Sequence, residues 1–160
     1  MERKYSFSKQ FRNDYFTSLG FIGFAIFLIV FIGISVFGVA ITRRDGIADL
    51  DNTTQFVMGI IFSFLSLLCL VGFISRIKTG KHLVKNGLEI DAEIYYIMYD
   101  RDRGRVEFSY NIDGNIFKRG NGINRSKSTE MYQKGDIIKI LVDPNNNKKA
   151  VIKNHFIVDN

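Results

Sequence analysis

Tryptophan is absent from this chain of 160 residues, and cysteine and proline occur once each. A lone cysteine, Cys69, excludes an intramolecular disulfide and a metal–thiolate cluster, so no such staple holds the fold together. Cys69 reads as a small apolar packing residue. Histidine occurs twice, as His82 and His155, with neither cysteine partners nor an HExxH spacing, which argues against a metal pair. No GxSxG, GxxxxGK[ST] or GxGxxG arrangement occurs, so the sequence offers neither a nucleophile elbow nor a phosphate cradle. These absences point away from an enzyme, with no catalytic, metal or cofactor-binding residue to nominate and no cofactor expected.

A further absence locates the chain. Residues 19–41 and 56–74 are apolar runs in which Cys69 is the only ionisable side chain. A membrane-spanning helix needs about 20 apolar residues to cross a hydrocarbon core roughly 30 Å thick. Both runs meet that length, so two transmembrane helices are expected. The first is too long for the h-region of a signal peptide and reads as an uncleaved anchor. Ion paths and proton relays normally need intramembrane charge, which is missing, so the pair reads as an anchor rather than a transporter. Gly59, Ser63 and Ser66 fall at i, i+4 and i+7 on one face of the second helix, a spacing that lets backbones approach closely. That face is expected to pack on the first helix or on a second protomer, leaving a homo-oligomer open.

Charge sets the expected orientation. Arg3, Lys4, Lys9 and Arg12 precede the first run, and Arg76, Lys78, Lys81 and Lys85 follow the second. The bridge holds only Arg43 and Arg44, among Asp45, Asp49 and Asp51. The positive-inside rule then places both termini in the cytoplasm and the bridge outside. The formal net charge is +6, with six Lys and Arg against five Asp and Glu in residues 1–75 and sixteen against eleven beyond. A basic domain beside a membrane is attracted to anionic headgroups, by about 1 kcal/mol per basic residue near the surface. Arg76, Lys78, Lys81 and Lys85 are accordingly the expected membrane-surface contacts. No nucleic-acid motif accompanies the charge, and nucleic acid is not an expected partner.

After Gly87 the pattern changes from unbroken apolar to alternating. Ile90, Ala92, Ile94, Tyr96 and Met98 alternate with Glu89, Asp91 and Glu93, and Val106, Phe108, Tyr110 and Ile112 repeat the period. Alternation of this kind predicts half-buried strands, with Tyr95, Tyr96 and Tyr99 divided between core and surface. Residues 100–104 form a charged hairpin tip, and Arg101, Arg103 and Arg105 are its candidate partner-binding side chains. Asp113-Gly114 is a strong two-residue hairpin signal. It is followed by a strand over residues 115–119, a long polar loop over 121–134 and a strand over 137–142. Asp143-Pro144 ends that strand, and residues 149–153 make a fifth. The expected fold is a membrane α-helical hairpin plus a small all-β domain, a five-stranded antiparallel barrel of the OB or SH3-like kind. The expected segments are 1–18 (cytoplasmic), 19–41 (helix), 42–55 (external loop), 56–74 (helix), 75–86 (basic linker), 87–153 (β domain) and 154–160 (tail).

Gly87, Ala92, Ile94, Tyr110, Asp113-Gly114, Gly135-Asp136 and Val142-Asp143-Pro144, in that order, resemble the bacterial membrane family named domain of unknown function three-five-nine-two. The resemblance covers roughly residues 83–153. It implies a small β domain beside two membrane helices, and no catalytic residues. Leu141 stands where the family often has Tyr, and Asn147 near a position where a second Pro is common.

The leading functional expectation is a non-enzymatic binding or assembly module held at the bacterial inner membrane, its partners the lipid bilayer and a protein of unknown identity. The alternative is a small membrane immunity or envelope-stress protein.

Overall fold

The computed structural model describes residues 3–42 and 46–158. Arg43, Arg44 and Asp45, on which part of the orientation argument rests, lie outside the described residues. The chain forms two compact units, one of Leu19–Ile74 and one of Met1–Ser18 with Ser75–Asn160.

The first unit is built from two apolar helices, each long and apolar enough to cross a membrane. α1 is short (Phe7–Asn13) and belongs to the second unit; α2 runs Tyr15–Phe37. It begins earlier and ends earlier than the apolar run, because Gly38, at φ +65°, stops it with its amide donating to the Ile34 carbonyl (3.1 Å). The last apolar residues form a strand instead: β1 (Val39–Thr42) pairs antiparallel with β2 (Gly46–Asp49) in the stretch expected to be plain loop. Asp51 then caps α3 (Asn52–Asn86), its carboxylate accepting from the Thr53 and Thr54 amides at 3.1 Å each.

At 1.5 Å per residue, the 35 residues of α3 extend about 52 Å, well beyond the roughly 30 Å that spans hydrocarbon. The surplus is the segment expected to be a linker; residues 75–86 are the helix's last three turns. Within the apolar unit the helices run antiparallel, small residues against larger ones. A Cβ at Gly20 would lie 3.2 Å from the Phe73 Cβ, and one at Gly23 3.0 Å from the Cys69 Sγ. Phe27 meets Phe62, with ring centroids 6.1 Å apart.

The second unit is a five-stranded antiparallel sheet curled into a nearly closed barrel. Its strands are β3 (Leu88–Asp100), β4 (Arg103–Ile112), β5 (Asn115–Asn124), β6 (Ile137–Asp143) and β7 (Asn146–Ile152), in the order β5-β4-β3-β6-β7. The fourth barrel strand thus returns beside the first, the Greek-key order found in OB barrels. The seam between β5 and β7 is drawn together by a side chain. The buried Asn121 amide donates to the Ala150 carbonyl (3.3 Å), and its oxygen accepts from the Ile152 amide (3.1 Å).

Ile94, Val106, Phe108, Tyr110 and Ile140 fill the interior, as the period-2 pattern predicts, and Ile123, from the stretch expected to be loop, joins them. Asp113 (φ 52°) and Gly114 (φ 82°) make the two-residue β4–β5 turn that the Asp-Gly signal indicates. β5 runs five residues further than expected, taking Asn121 to Asn124 out of the polar loop.

β3 departs from strict alternation. Ile94 pairs with Phe108, but Tyr96 pairs with Glu107, so Tyr95 is a bulge. Before it, Ala92 and Ile94 point inward; after it, Ile97 and Tyr99 do, and Tyr96 and Met98 are turned out. The expectation that Tyr96 and Met98 share the core face is therefore corrected. β3 pairs with β6 up to Glu93 and with β4 from Glu93 on, and the extra residue supplies the bend that this change of partner requires.

A second apolar cluster lies outside the barrel. Leu83 and Val84 of α3 pack with Leu141, Val151, Phe156 and Ile157, so part of the expected C-terminal tail is core. Tyr5 bridges to Ile157, and the Ser6 amide donates to the Phe156 carbonyl (2.8 Å). The N-terminal segment is thus a strap across the barrel.

Candidate functional site

Two buried polar clusters in the barrel unit hold structure together. In the first, Arg76 is bidentate to Asp14, with Nε–Oδ2 at 3.0 Å and Nη2–Oδ1 at 2.6 Å. Thr17 Oγ1 also donates to Asp14 (2.6 Å), and Gln10 Nε2 donates to Thr17 (2.8 Å) and the Arg76 carbonyl (3.3 Å). Tyr5 donates to Gln10 (2.6 Å). Arg76, expected at the lipid surface, is committed here. Lys78, Lys81 and Lys85 are exposed on α3, with Lys81 5.6 Å from the Tyr5 ring centre. In the second cluster, buried His155 lies 3.1 Å from the Tyr132 hydroxyl. Burial pushes His155 down to about 4, with Arg76 adding to the effect and Asp14 opposing it. Burial likewise pushes Tyr132 up to about 12. His82 is elsewhere, exposed and 3.9 Å from Asp143. Among the described residues, no group of three or more His, Cys, Asp and Glu is placed to hold a metal.

The expected helix-packing residues separate. Gly59 approaches Ser35 and is buried, and Ser66 reaches toward the Phe24 carbonyl at 3.5 Å. Ser63 is exposed and lines a groove of about 630 Å³ between α2 and α3, with Phe31, Ser35, Gly59 and Phe64.

The charged hairpin tip also divides. Only Arg101 and Asp102 form the turn, Arg101 at φ 53°. Arg103 and Arg105 sit on β4 and point outward. Arg103 pairs with Asp100 (3.2 Å) and lies 6.0 Å from the Tyr15 ring centre. Arg105 lies flat across Gly120, where a Cβ would come within 2.8 Å of its guanidinium. Glycine there lets the arginine reach Glu107, with Nε–Oε1 at 2.6 Å. Tyr95 donates to the same carboxylate (3.0 Å). The Arg105 bond, then that of Tyr95, holds Glu107 below the usual carboxylate range.

These residues belong to one continuous surface, the outward face of β3–β4–β5. Cross-strand pairing sets Tyr96 beside Glu107 and Met98 beside Arg105. Lys118 sits beside Ser109, and Ile116 beside Asn111. Tyr96 is 45% exposed, Met98 48%, Ile116 72% and Ile137 66%. Ile116 and Ile137 line a shallow depression of about 280 Å³ with Asp91, Glu93, Ser109 and Asn111. The acids of the first strand are mostly engaged rather than merely solvated. Glu89 pairs with Lys153 (2.8 Å) and Asp91 with Lys139 (3.0 Å).

The sequence reading named Arg103 and Arg105 but put Tyr96 and Met98 on the core phase of their strand and missed Ile116 and Ile137 as members of this face. One signal was available for Ile116. The Asp-Gly turn fixes Asn111 opposite Ile116, and Asn111 lies on the polar phase of β4.

No protein-family model matches this chain, no curated protein matches it, and no solved structure matches its fold.

Proposed function

We propose that this is a membrane-anchored, non-enzymatic binding or assembly module that docks a protein partner on the outward face of β3–β4–β5. One observation carries the reading: Tyr96 and Met98 of β3, Ile116 of β5 and, at the adjoining start of β6, Ile137 stand exposed on the outward side of the sheet, together with Arg105 of β4. Tyr, Met and Arg are among the residues enriched in protein interfaces. Exposed apolar side chains set among polar groups on one sheet face mark such a site.

The reading extends to setting. The basic residues before α2 and at the end of α3 support an orientation in which the barrel is cytoplasmic, at a bacterial inner membrane. Kinship with domain of unknown function three-five-nine-two rests on the turn residues quoted above. The buried titratable groups support a non-enzymatic role, because Asp14, Arg76 and His155 are each consumed by contacts within the fold.

Site-specific photocrosslinking from position 98 in cells tests the proposal, compared with the same probe at Lys148 on β7. Capture of one protein from position 98, abolished by Tyr96→Glu, is expected. Equal capture from both positions, or none from position 98, overturns it.

A further inference from the structure

β3 changes partners along its length, and the change leaves two strand edges open. It pairs with β6 as far as Glu93 and with β4 only from Glu93 onward, where Glu93 lies opposite Ser109. Residues 88–92 of β3 therefore have no strand on their β4 side. Residues 110–112 of β4, which pair with β5, have none on their β3 side. The backbone groups that face this fork follow from one residue. The Ile94 amide donates to the Asp136 carbonyl (2.9 Å), and the Ile94 carbonyl accepts from the Gly135 amide (2.7 Å), both on the β6 side. Backbone groups alternate sides along a strand, so those of Glu89 and Asp91 point the other way, into the fork. On β4, Ile112 and Asn115 close the two-residue turn, so the backbone of Asn111 faces the fork as well.

The fork is open space. Ala92 and Tyr110 are turned to the core, at 2% and 4% exposure, yet both line the depression of about 280 Å³. It therefore reaches down between the strands rather than resting on the sheet. Its rim is acidic, in a chain whose formal net charge is +6. Asp91 and Glu93 are exposed there, and no Lys or Arg lines the depression among the described residues. Asp91 has Lys139 for a partner (3.0 Å). Glu93, Ser109 and Asn111 make no side-chain hydrogen bond or ion pair among the described residues. Lys118, which pairs across from Ser109, lies over the Tyr95 ring, 5.2 Å from its centre.

We propose that the fork takes an extended segment of the protein partner, added as a short strand against the β3 edge and carrying a basic side chain to Asp91 and Glu93. Pairing with the Glu89 and Asp91 backbone supplies affinity whatever the sequence, as in other strand additions, and the alternate side chains supply specificity. A lysine or arginine opposite Asp91 on the outward side reaches Glu93 on the diagonal. Ile116 and Ile137, on either side, offer apolar surface to its aliphatic stem. The segment belongs to the partner docked by the β3–β4–β5 face, and its place in the fork rests on that reading.

Random heptapeptides displayed on phage supply a probe while the partner is unidentified. They are selected against the full chain in phosphatidylcholine nanodiscs, after depletion on empty discs. The enriched peptides should share a basic residue. Glu93→Gln should weaken their binding about tenfold, the loss expected when a charged hydrogen-bond partner is removed, and Glu93→Lys should abolish it. N-methylating one alternate set of peptide amides should also abolish binding, and amide exchange at Glu89 and Asp91 should slow in the complex. No enrichment, enrichment without a basic residue, or binding indifferent to both Glu93 variants overturns the proposal. Binding indifferent to N-methylation, with exchange at Glu89 and Asp91 unchanged, overturns the added strand. Unaltered near-ultraviolet dichroism of both variants shows that the fold is intact. Crosslinking from position 98 separates this proposal from the docking reading beneath it. One captured protein that is lost in Glu93→Lys is expected. The same capture persisting in Glu93→Lys overturns the basic segment and leaves the face in place, and capture of a second copy of this chain overturns the separate partner.

Discussion

Acid should loosen the barrel unit through one residue, His155. Its imidazole is buried beside Tyr132 and lies within the field of the Asp14–Arg76 pair, and burial lowers it from 6.5 to about 4. A histidine whose folded pKa is depressed is neutral in the fold, while the unfolded chain takes up a proton at higher pH. Stability is therefore flat above about pH 6.5 and falls as pH drops toward 4. Linkage over that whole interval amounts to about 3 kcal/mol at 1.36 kcal/mol per pKa unit. By pH 5 most unfolded chains are protonated and few folded ones are, so about 2 kcal/mol is already lost.

The stability that three depressed carboxylates of the barrel unit, Glu89, Glu107 and Asp143, contribute is also lost as pH falls, but from the ordinary carboxylate range downward. The interval from pH 7 to pH 5 therefore isolates the histidine. The assay is urea unfolding of the full chain in detergent, followed by near-ultraviolet dichroism of the tyrosines, at several pH values across that interval. His155→Phe removes the titration, and with it the bond to Tyr132, which lowers its stability by an amount independent of pH. The native chain should lose stability toward pH 5 and the variant should not. Parallel slopes for the two proteins would refute the reasoning, whatever their offset.

Two other outcomes test the frame around that site. Gly23→Cys should form a disulfide with native Cys69 under mild oxidation, since their Cβ atoms would lie 3.8 Å apart, inside the roughly 3.5–4.5 Å that a disulfide spans; thiols that stay free by mass spectrometry would refute the pairing of α2 with α3. Asn121→Ala should orphan the Ala150 carbonyl and the Ile152 amide and cost about 1–3 kcal/mol for each buried group left unpaired. Hydrogen exchange at Ile152 would then accelerate far more than at Phe108, and equal rates would show that the seam does not depend on that side chain.

What was legible in the sequence was whatever depends on local period or turn chemistry. The two apolar runs, the inward phase of β4 and the Asp113-Gly114 turn could all be read directly, because each is set by residues within a few positions of one another. The bulge at Tyr95 could not. Nothing in Ile94-Tyr95-Tyr96 marks it, and it exists because β3 must leave β6 for β4, a requirement set by strands more than ten residues away. The same reason hid Met98 from the candidate face, since a slip of one residue exchanges the two sides of a strand. The extension of α3 was hidden differently. Arg76, Lys78, Lys81 and Lys85 end the apolar run without ending the helix, and Lys and Arg are good helix formers. Charge marked the edge of the lipid-compatible segment, and that edge was taken for the end of the structure.

The strap shows why a chain so rich in apolar surface relies on a polar joint. α2 is apolar almost throughout after Ser18, and apolar contact is non-directional, so it discriminates poorly among rotations and shifts of a helix against its neighbours. The Asp14–Arg76 cluster discriminates well. A bidentate guanidinium–carboxylate pair tolerates little displacement, and Thr17 one turn into α2 and Gln10 on α1 must meet the same pair. Burying those charges costs desolvation that their attraction scarcely recovers, so specificity explains the arrangement better than net stability does. Joining Tyr5, Gln10, Asp14, Thr17 and Arg76 fixes the rotation of α1, the start of α2 and the late turns of α3 together. That fixed rotation sets Tyr15 against Arg103 at the edge of the β3–β4–β5 face. The β3–β4–β5 face thus takes part of its geometry from a joint whose Gln10, Asp14 and Thr17 are buried.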